Sequence, residues 1–219
     1  DPSGSALPAH RLAPLAVIAA ALAVILAALS VWTAPIRATE PSPTFAAYVT
    51  PGNFATATPT VLPKRVSTRV RLPALRIDLP VVKSPPAGVY PYCNVAMYLP
   101  TFGQPGWGRT TFIYAHARTG MFLTILRSSQ VNSGAGMIGK SVYVYTSDRW
   151  LWRYVIKKVY RHQTDLSVLR DIKGEALILQ TSEGPRGTKE KLLVLARLAE
   201  KSRTTWAASH PTPHIVRCS

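Results

Sequence analysis

The chain has 219 residues, enough for one compact domain with appendages and too few for two ordinary domains. Its 26 Lys and Arg against 10 Asp and Glu give a net charge of +16, a field that favours anionic partners such as nucleic acid, anionic lipid or acidic wall polymer. There is no nucleic-acid-binding signature, no Gly-rich phosphate loop, no G-x-S-x-G elbow and no Cys/His metal spacing. A nucleotide fold, an ordinary α/β-hydrolase and a zinc centre are therefore disfavoured, and neither cofactor nor metal is expected.

After an N-terminal tail, 1–11, residues 12–32 read L-A-P-L-A-V-I-A-A-A-L-A-V-I-L-A-A-L-S-V-W without a charge. That matches the roughly 20 apolar residues a helix needs to cross a bilayer. Arg11 precedes the run and Trp32 closes it at the position of an interfacial aromatic, so a single-pass anchor with the folded domain outside the cytoplasm is expected. Arg37 on the other flank weakens the charge asymmetry that sets this orientation. A cleaved signal peptide is the rival reading, disfavoured because the run is longer than a usual signal core. Residues 33–68 are rich in Pro, Thr and Ala without periodicity, the composition of an extended tether.

The folded domain is expected over 69–200. R-V-R-L-P-A-L-R-I-D-L-P-V-V, T-F-I-Y-A (111–115), S-V-Y-V-Y-T-S (141–147), W-L-W-R-Y-V-I-K-K-V (150–159), E-A-L-I-L-Q-T and K-L-L-V-L-A-R-L all read as strands. The S-D-R link between the third and fourth of these predicts a hairpin. G-M-F-L-T-I-L-R-S-S-Q (120–130) predicts a short helix, with Phe122, Ile125 and Leu126 at helical spacing. Many short strands with few helices imply an all-β fold, a closed or nearly closed barrel. Residues 201–219 lose periodicity and read as a C-terminal tail. A mobile tail makes a bridge between Cys93 and Cys218 unexpected. Cys93 itself reads as a small buried residue rather than a displaced thiol nucleophile.

Three positions carry chemistry. His116 follows an apolar strand in I-Y-A-H-A-R, whereas His10, His210 and His214 lie in terminal segments and His162 at a strand exit; His116 is thus the candidate general base. Ser182 ends the apolar run A-L-I-L-Q-T-S, where it is either a nucleophile or a capping residue. A hydroxyl attacks only when a base takes its proton. Lys191 opens the last strand after the loop E-G-P-R-G-T-K-E; if the two strands are neighbours, its charge returns towards Ser182, where a cation stabilises an oxyanion. Arg186 in the same loop is an alternative cation, and a solvated basic loop is the bland one. Asp148, Asp165 and Asp171 are candidates to orient His116.

Taken in order, Y-A-H-A at His116, L-I-L-Q-T-S at Ser182 and K-L-L-V-L-A at Lys191 resemble the histidine, T-C strand-end and arginine segments of the sortase family of cell-surface transpeptidases. The anchor, the tether, I-D-L-P-V-V and F-L-T-I-L also look like sortases, so the resemblance spans 69–200. It implies an eight-stranded β-barrel with one or two short helices. It also implies cleavage of a sorting-signal peptide after threonine, and transfer of the acyl group to an amino acceptor on peptidoglycan or pilin, or to water. Ser182 stands where the family has cysteine and Lys191 where it has arginine. A serine hydroxyl is not pre-ionised as a thiol is, so His116 would act as a true general base. Lysine keeps the charge but not the planar fork of donors. Ser182 alone would fit a laboratory substitution; the second change at Lys191 points to natural divergence. Two further readings stand beside acyl transfer. One is a sortase-fold module, altered or inactive in catalysis, that binds peptide or wall polymer; the other is a basic surface protein without an active site.

Overall fold

The computed structural model describes residues 62–218. The expected N-terminal tail and transmembrane anchor, and nearly all of the tether, lie outside the described residues. The barrel strands are β1 (Ser67–Leu72), β2 (Ile77–Lys83), β4 (Ala96–Tyr98), β5 (Thr110–Tyr114), β6 (Ser141–Thr146), β7 (Trp150–Gln163), β8 (Ala176–Ser182) and β9 (Lys191–Arg203). Outside the barrel, β3 (Tyr92–Cys93) pairs with β10 (Val216–Arg217), and the helices are α1 (Leu123–Gln130) and α2 (Trp206–Ser209).

The barrel order is β1-β2-β4-β5-β8-β9-β7-β6, closed by pairing of β6 with β1. This is the all-β, eight-stranded barrel expected from the sequence. Within it β2 with β4 and β5 with β8 run parallel, and the remaining pairs are antiparallel. The β6–β7 hairpin turns through Ser147, Asp148 and Arg149. Arg149 takes the left-handed conformation (φ 61°) and its N–H donates to Thr146 O at 3.0 Å, the pattern of a three-residue hairpin loop.

The apolar runs of β5, β8 and β9 follow from burial on both faces. Ile113, Leu177, Leu179, Leu192 and Val194 join the main core, where Phe122, Ile125 and Leu126 of the α1 region also pack. Phe112, Ile178, Leu193 and Leu195 form a second cluster, covered by Leu99, Phe102, Tyr160, Val168, Leu169 and Ile172. β4 is too short to be read from the sequence. Ala96 and Met97 of β4, and Val95 just before it, are nonetheless fully buried.

The C-terminal segment corrects one expectation. β9 continues to Arg203, α2 follows, and Thr205 caps that helix by accepting from Ala208 N. β10 then adds to β3, and Cys218 forms a disulfide with Cys93 across a Cα–Cα distance of 5.3 Å. The bridge that the sequence disfavoured is present because strand pairing returns the end of the chain to β3. No periodicity within a two-residue strand announces that return.

Candidate active-site cleft

The position of Ser182 and His116 follows from strand direction. In the parallel β5–β8 pair Tyr114 lies opposite Gln180, so the residues two further on, His116 and Ser182, leave the barrel at the same edge. Hydrogen bonds lock this end: Ala115 N donates to Gln180 O at 3.1 Å, and the buried Thr181 hydroxyl donates to Ala115 O at 2.8 Å. Phe122 N donates to His116 O at 3.0 Å as the chain turns into α1.

Lys191 comes from antiparallel pairing. It is the direct partner of Ser182 in the β8–β9 register, and such cross-strand neighbours share a face with their Cβ atoms about 5 Å apart. Its ammonium donates to Ser182 Oγ at 3.2 Å and to Thr188 O. The bend in the 183–190 loop is pinned at its base by Glu183 N donating to Glu190 O at 3.1 Å.

Ser182, His116 and Lys191 all line one cleft of about 660 Å³, together with Tyr90, Pro91, Tyr114, Arg118, Gln180, Arg186 and Lys189. A smaller cleft of about 340 Å³ shares Tyr114, Thr164, Gln180, Lys189 and Lys191 with it and adds the apolar walls Leu99, Phe112 and Leu166. The sequence-predicted site residues thus converge on one surface depression. Arg186 lies in the same wall, its guanidinium 4.4 Å over the ring of Tyr90, and Tyr90 in turn stands 5.0 Å from the His116 ring. Burial pushes the Tyr114 phenol up, so it stays a neutral donor in the cleft.

His116 is held otherwise than the sequence suggests. Its Nε2 lies 3.1 Å from Pro91 O. A carbonyl only accepts, so the Nε2 is protonated and Nδ1 is the basic nitrogen of the neutral ring. Among the described residues no hydrogen bond joins His116 to Ser182, and none joins it to Asp148, Asp165 or Asp171. Asp148 instead accepts from Arg65 Nε and Nη2 at 2.8 and 2.6 Å, and from the Thr146 hydroxyl at 2.7 Å. Burial opposes ionisation of Asp148, but the bonds from Arg65 and Thr146 outweigh it and hold the carboxyl below its ordinary value. Asp165 accepts from Ser167 N at 2.7 Å. The orienting acceptor of the imidazole is therefore a backbone carbonyl, which no sequence motif encodes.

Two further features escaped sequence reasoning. Glu183, whose side chain is 5% exposed, sits directly after Ser182 beside Arg161 (3.5 Å) and His162 (2.6 Å), and accepts from His162 N at 3.0 Å. His162 adopts φ 57° at an irregularity of β7, so a strand bulge is spent on fixing the acidic neighbour of the site. The second is the disulfide. Cys93, Cys218 and His116 each place a ligand-type atom within 4.8 Å of the others, but the two sulfurs are bonded to one another and hold no metal in that state.

No family model matches the chain, and no curated protein matches it. Among solved structures, sortase A of Listeria monocytogenes superposes with a TM-score of 0.51 at 18% identity, covering 67% of this chain and 97% of the other. Sortase C2 of the Group B Streptococcus pilus island 1 gives 0.47 at 16% identity, over 64% and 77% of the two chains. Sortase A of Corynebacterium diphtheriae gives 0.49 at 16% identity, over 62% and 61%. The barrel described above is the sortase fold.

Proposed function

We propose that this chain is a sortase-like acyl-transfer protein that works on an extended peptide laid in the cleft above Ser182. The observation that carries the reading is the Ser182–Lys191 contact of 3.2 Å inside the cleft that also holds His116. In the reaction, Ser182 Oγ attacks a peptide carbonyl carbon and His116 takes the hydroxyl proton at Nδ1. The oxyanion forms beside the Lys191 ammonium, a preorganised cation on the nucleophile's own face. His116 returns the proton to the departing amine, leaving an ester on Ser182. An amino group or water, deprotonated by the same imidazole, then attacks the ester and frees Ser182.

The chemistry differs from that of a thiol enzyme in one respect. A thiolate waits ionised beside an imidazolium, whereas a hydroxyl loses its proton only as it attacks. His116 must therefore turn or move towards Ser182 when peptide binds, because its ring is engaged with Pro91 in the free protein. The sequence motifs support a partner class for this reading: a sorting-signal peptide with a threonine at the cleaved bond, and an amino acceptor on peptidoglycan or pilin. The apolar run 12–32 would anchor the domain at the outer face of the membrane, where such substrates are found.

A second reading is favoured by the same imidazole contact. With His116 tied to Pro91 and not to Ser182, the cleft suits a module that binds peptide or wall polymer without turnover. Mass spectrometry of the full chain incubated with threonine-containing signal peptides separates the two. The acyl-transfer reading expects an adduct on the peptide containing Ser182, absent from Ser182→Ala. Peptide binding without an adduct, followed by thiol-dependent cleavage in Ser182→Cys with Lys191→Arg, would leave the binding module standing instead.

A further inference from the structure

The disulfide lies in an unusual place for a purely structural bridge. Cys93 ends β3, the strand that immediately follows Tyr90 and Pro91 of the main cleft, and Cys218 follows β10. Both sulfurs are within 4.8 Å of a ring nitrogen of His116, and Arg118 Nη1 donates to Cys93 Sγ at 3.5 Å. Another cleft of about 530 Å³, not lined by Ser182, has Cys93, Asn94, Arg118 and Met121 in its wall. Arg118 lines both clefts. Besides packing against the main core, the bridge is flanked by a base and a cation, the two groups that favour a thiolate over a thiol.

The two sulfurs are also unequal. Cys93 is 7% exposed, while Cys218 is half-buried near the end of the chain. Attack on Cys218, the more exposed residue of the pair, displaces the sulfur that touches Arg118. That is the favourable direction, because exchange is faster when the leaving thiol is the more acidic.

We propose that Cys93–Cys218 is a thiol–disulfide exchange site that accepts two electrons from a dithiol, with Cys218 as the point of entry and Cys93 as the leaving sulfur. One thiolate of the dithiol bonds to Cys218 Sγ as the Cys218–Cys93 bond breaks, and the bonding pair goes to Cys93. His116 takes up the proton lost by the attacking thiol, and the imidazolium so formed and Arg118 hold Cys93 as the thiolate. The second sulfur of the dithiol, deprotonated in turn, then displaces Cys218 and closes the dithiol into its own disulfide. Cys218 receives the second proton. Two electrons and two protons have passed, and the protein has gained a nucleophilic sulfur beside His116. The proposal goes beyond acyl transfer and does not depend on it, since no peptide takes part.

The test uses the full chain in four forms, the unmodified protein and three variants. Cys218→Ser presents Cys93 as a free thiol without reductant, and His116→Gln and Arg118→Gln are added to it singly. Glutamine at 116 keeps a donor for Pro91 O but no base. Iodoacetamide labelling of Cys93 at neutral pH, read by peptide mapping, is expected to run roughly tenfold faster in the folded chain than in the same chain in urea. Each glutamine variant is expected to remove most of that gain, with the far-UV spectrum unchanged. In parallel, the unmodified chain treated with glutathione should form its mixed disulfide on Cys218 and not on Cys93. Labelling of folded Cys93 no faster than in urea, labelling indifferent to His116→Gln and Arg118→Gln, or a mixed disulfide on Cys93 would each overturn the proposal. None of these outcomes bears on an ester at Ser182.

Discussion

Replacing Cys93 and Cys218 together by serine is expected to lower the stability of the domain by up to about 5 kcal/mol, nearly all of it through the unfolded state. The bridged residues are 125 apart in sequence. The chain-entropy relation for a loop of that length gives about 16 cal/mol/K, or about 5 kcal/mol at 25 °C. The folded state loses little of its own. β10 is two residues long, and Val216 and Arg217 are both exposed, so apart from the bridge the tail end adds little apolar burial. Urea denaturation followed by tryptophan fluorescence should show a lower extrapolated stability and a larger slope, because the uncrosslinked unfolded chain exposes more surface. For a domain of this size the corresponding thermal shift is about 10–20 °C. Reducing the unmodified protein should reproduce the double variant. A loss below about 1 kcal/mol with an unchanged slope would refute the unfolded-state argument.

Three further outcomes are expected. Thr181→Val removes a buried donor from Ala115 O and should cost about 1–3 kcal/mol in denaturant; because that bond ties the Ser182 strand to the His116 strand, acylation should fall further than stability alone explains. Stability should drop at both pH extremes. The Asp148 carboxyl is held low, so its contribution is present above the ordinary carboxylate value near 4 and lost as pH falls below it. The Tyr154 phenol is raised by burial and then by Glu175, so its contribution is complete below about pH 10 and lost above it; Asp148→Asn and Tyr154→Phe should flatten the acid and alkaline limbs respectively in pH-dependent urea titrations. Finally, Arg118, Arg186, Lys189 and Lys191 line the main cleft, so peptides with acidic flanks should bind more tightly than neutral ones at low salt. Fluorescence anisotropy should show the advantage shrinking as the Debye length falls from about 10 Å at 0.1 M to about 3 Å at 1 M, and a salt-independent preference would contradict it.

Much of the barrel was legible because its long strands carry their own signal. S-V-Y-V-Y-T and W-L-W-R-Y-V-I are β-branched and aromatic, with a polar link between them, and the hairpin forms there. The run A-L-I-L is apolar at every position because β8 is buried on both faces. The helix at 123–130 followed from the spacing of Ile125 and Leu126. Short elements were not legible: β4 is three residues and β10 two, lengths over which no periodicity can be measured.

The candidate site divides in the same way. The residue types and their order (His116, Ser182, Lys191) are properties of the sequence, and so is the cationic character of the loop that joins the last two. Their convergence needs the parallel β5–β8 register and the Ser182–Lys191 antiparallel pairing, which are long-range choices made by the closed sheet. The partner of the imidazole is a backbone carbonyl, and the neighbour of Cys93 is a cysteine 125 residues away. Local composition fixes what a strand can bury and what a side chain can do. Only the tertiary structure decides which groups meet, because contacts between distant segments depend on sheet order and loop closure, and no single segment contains that information.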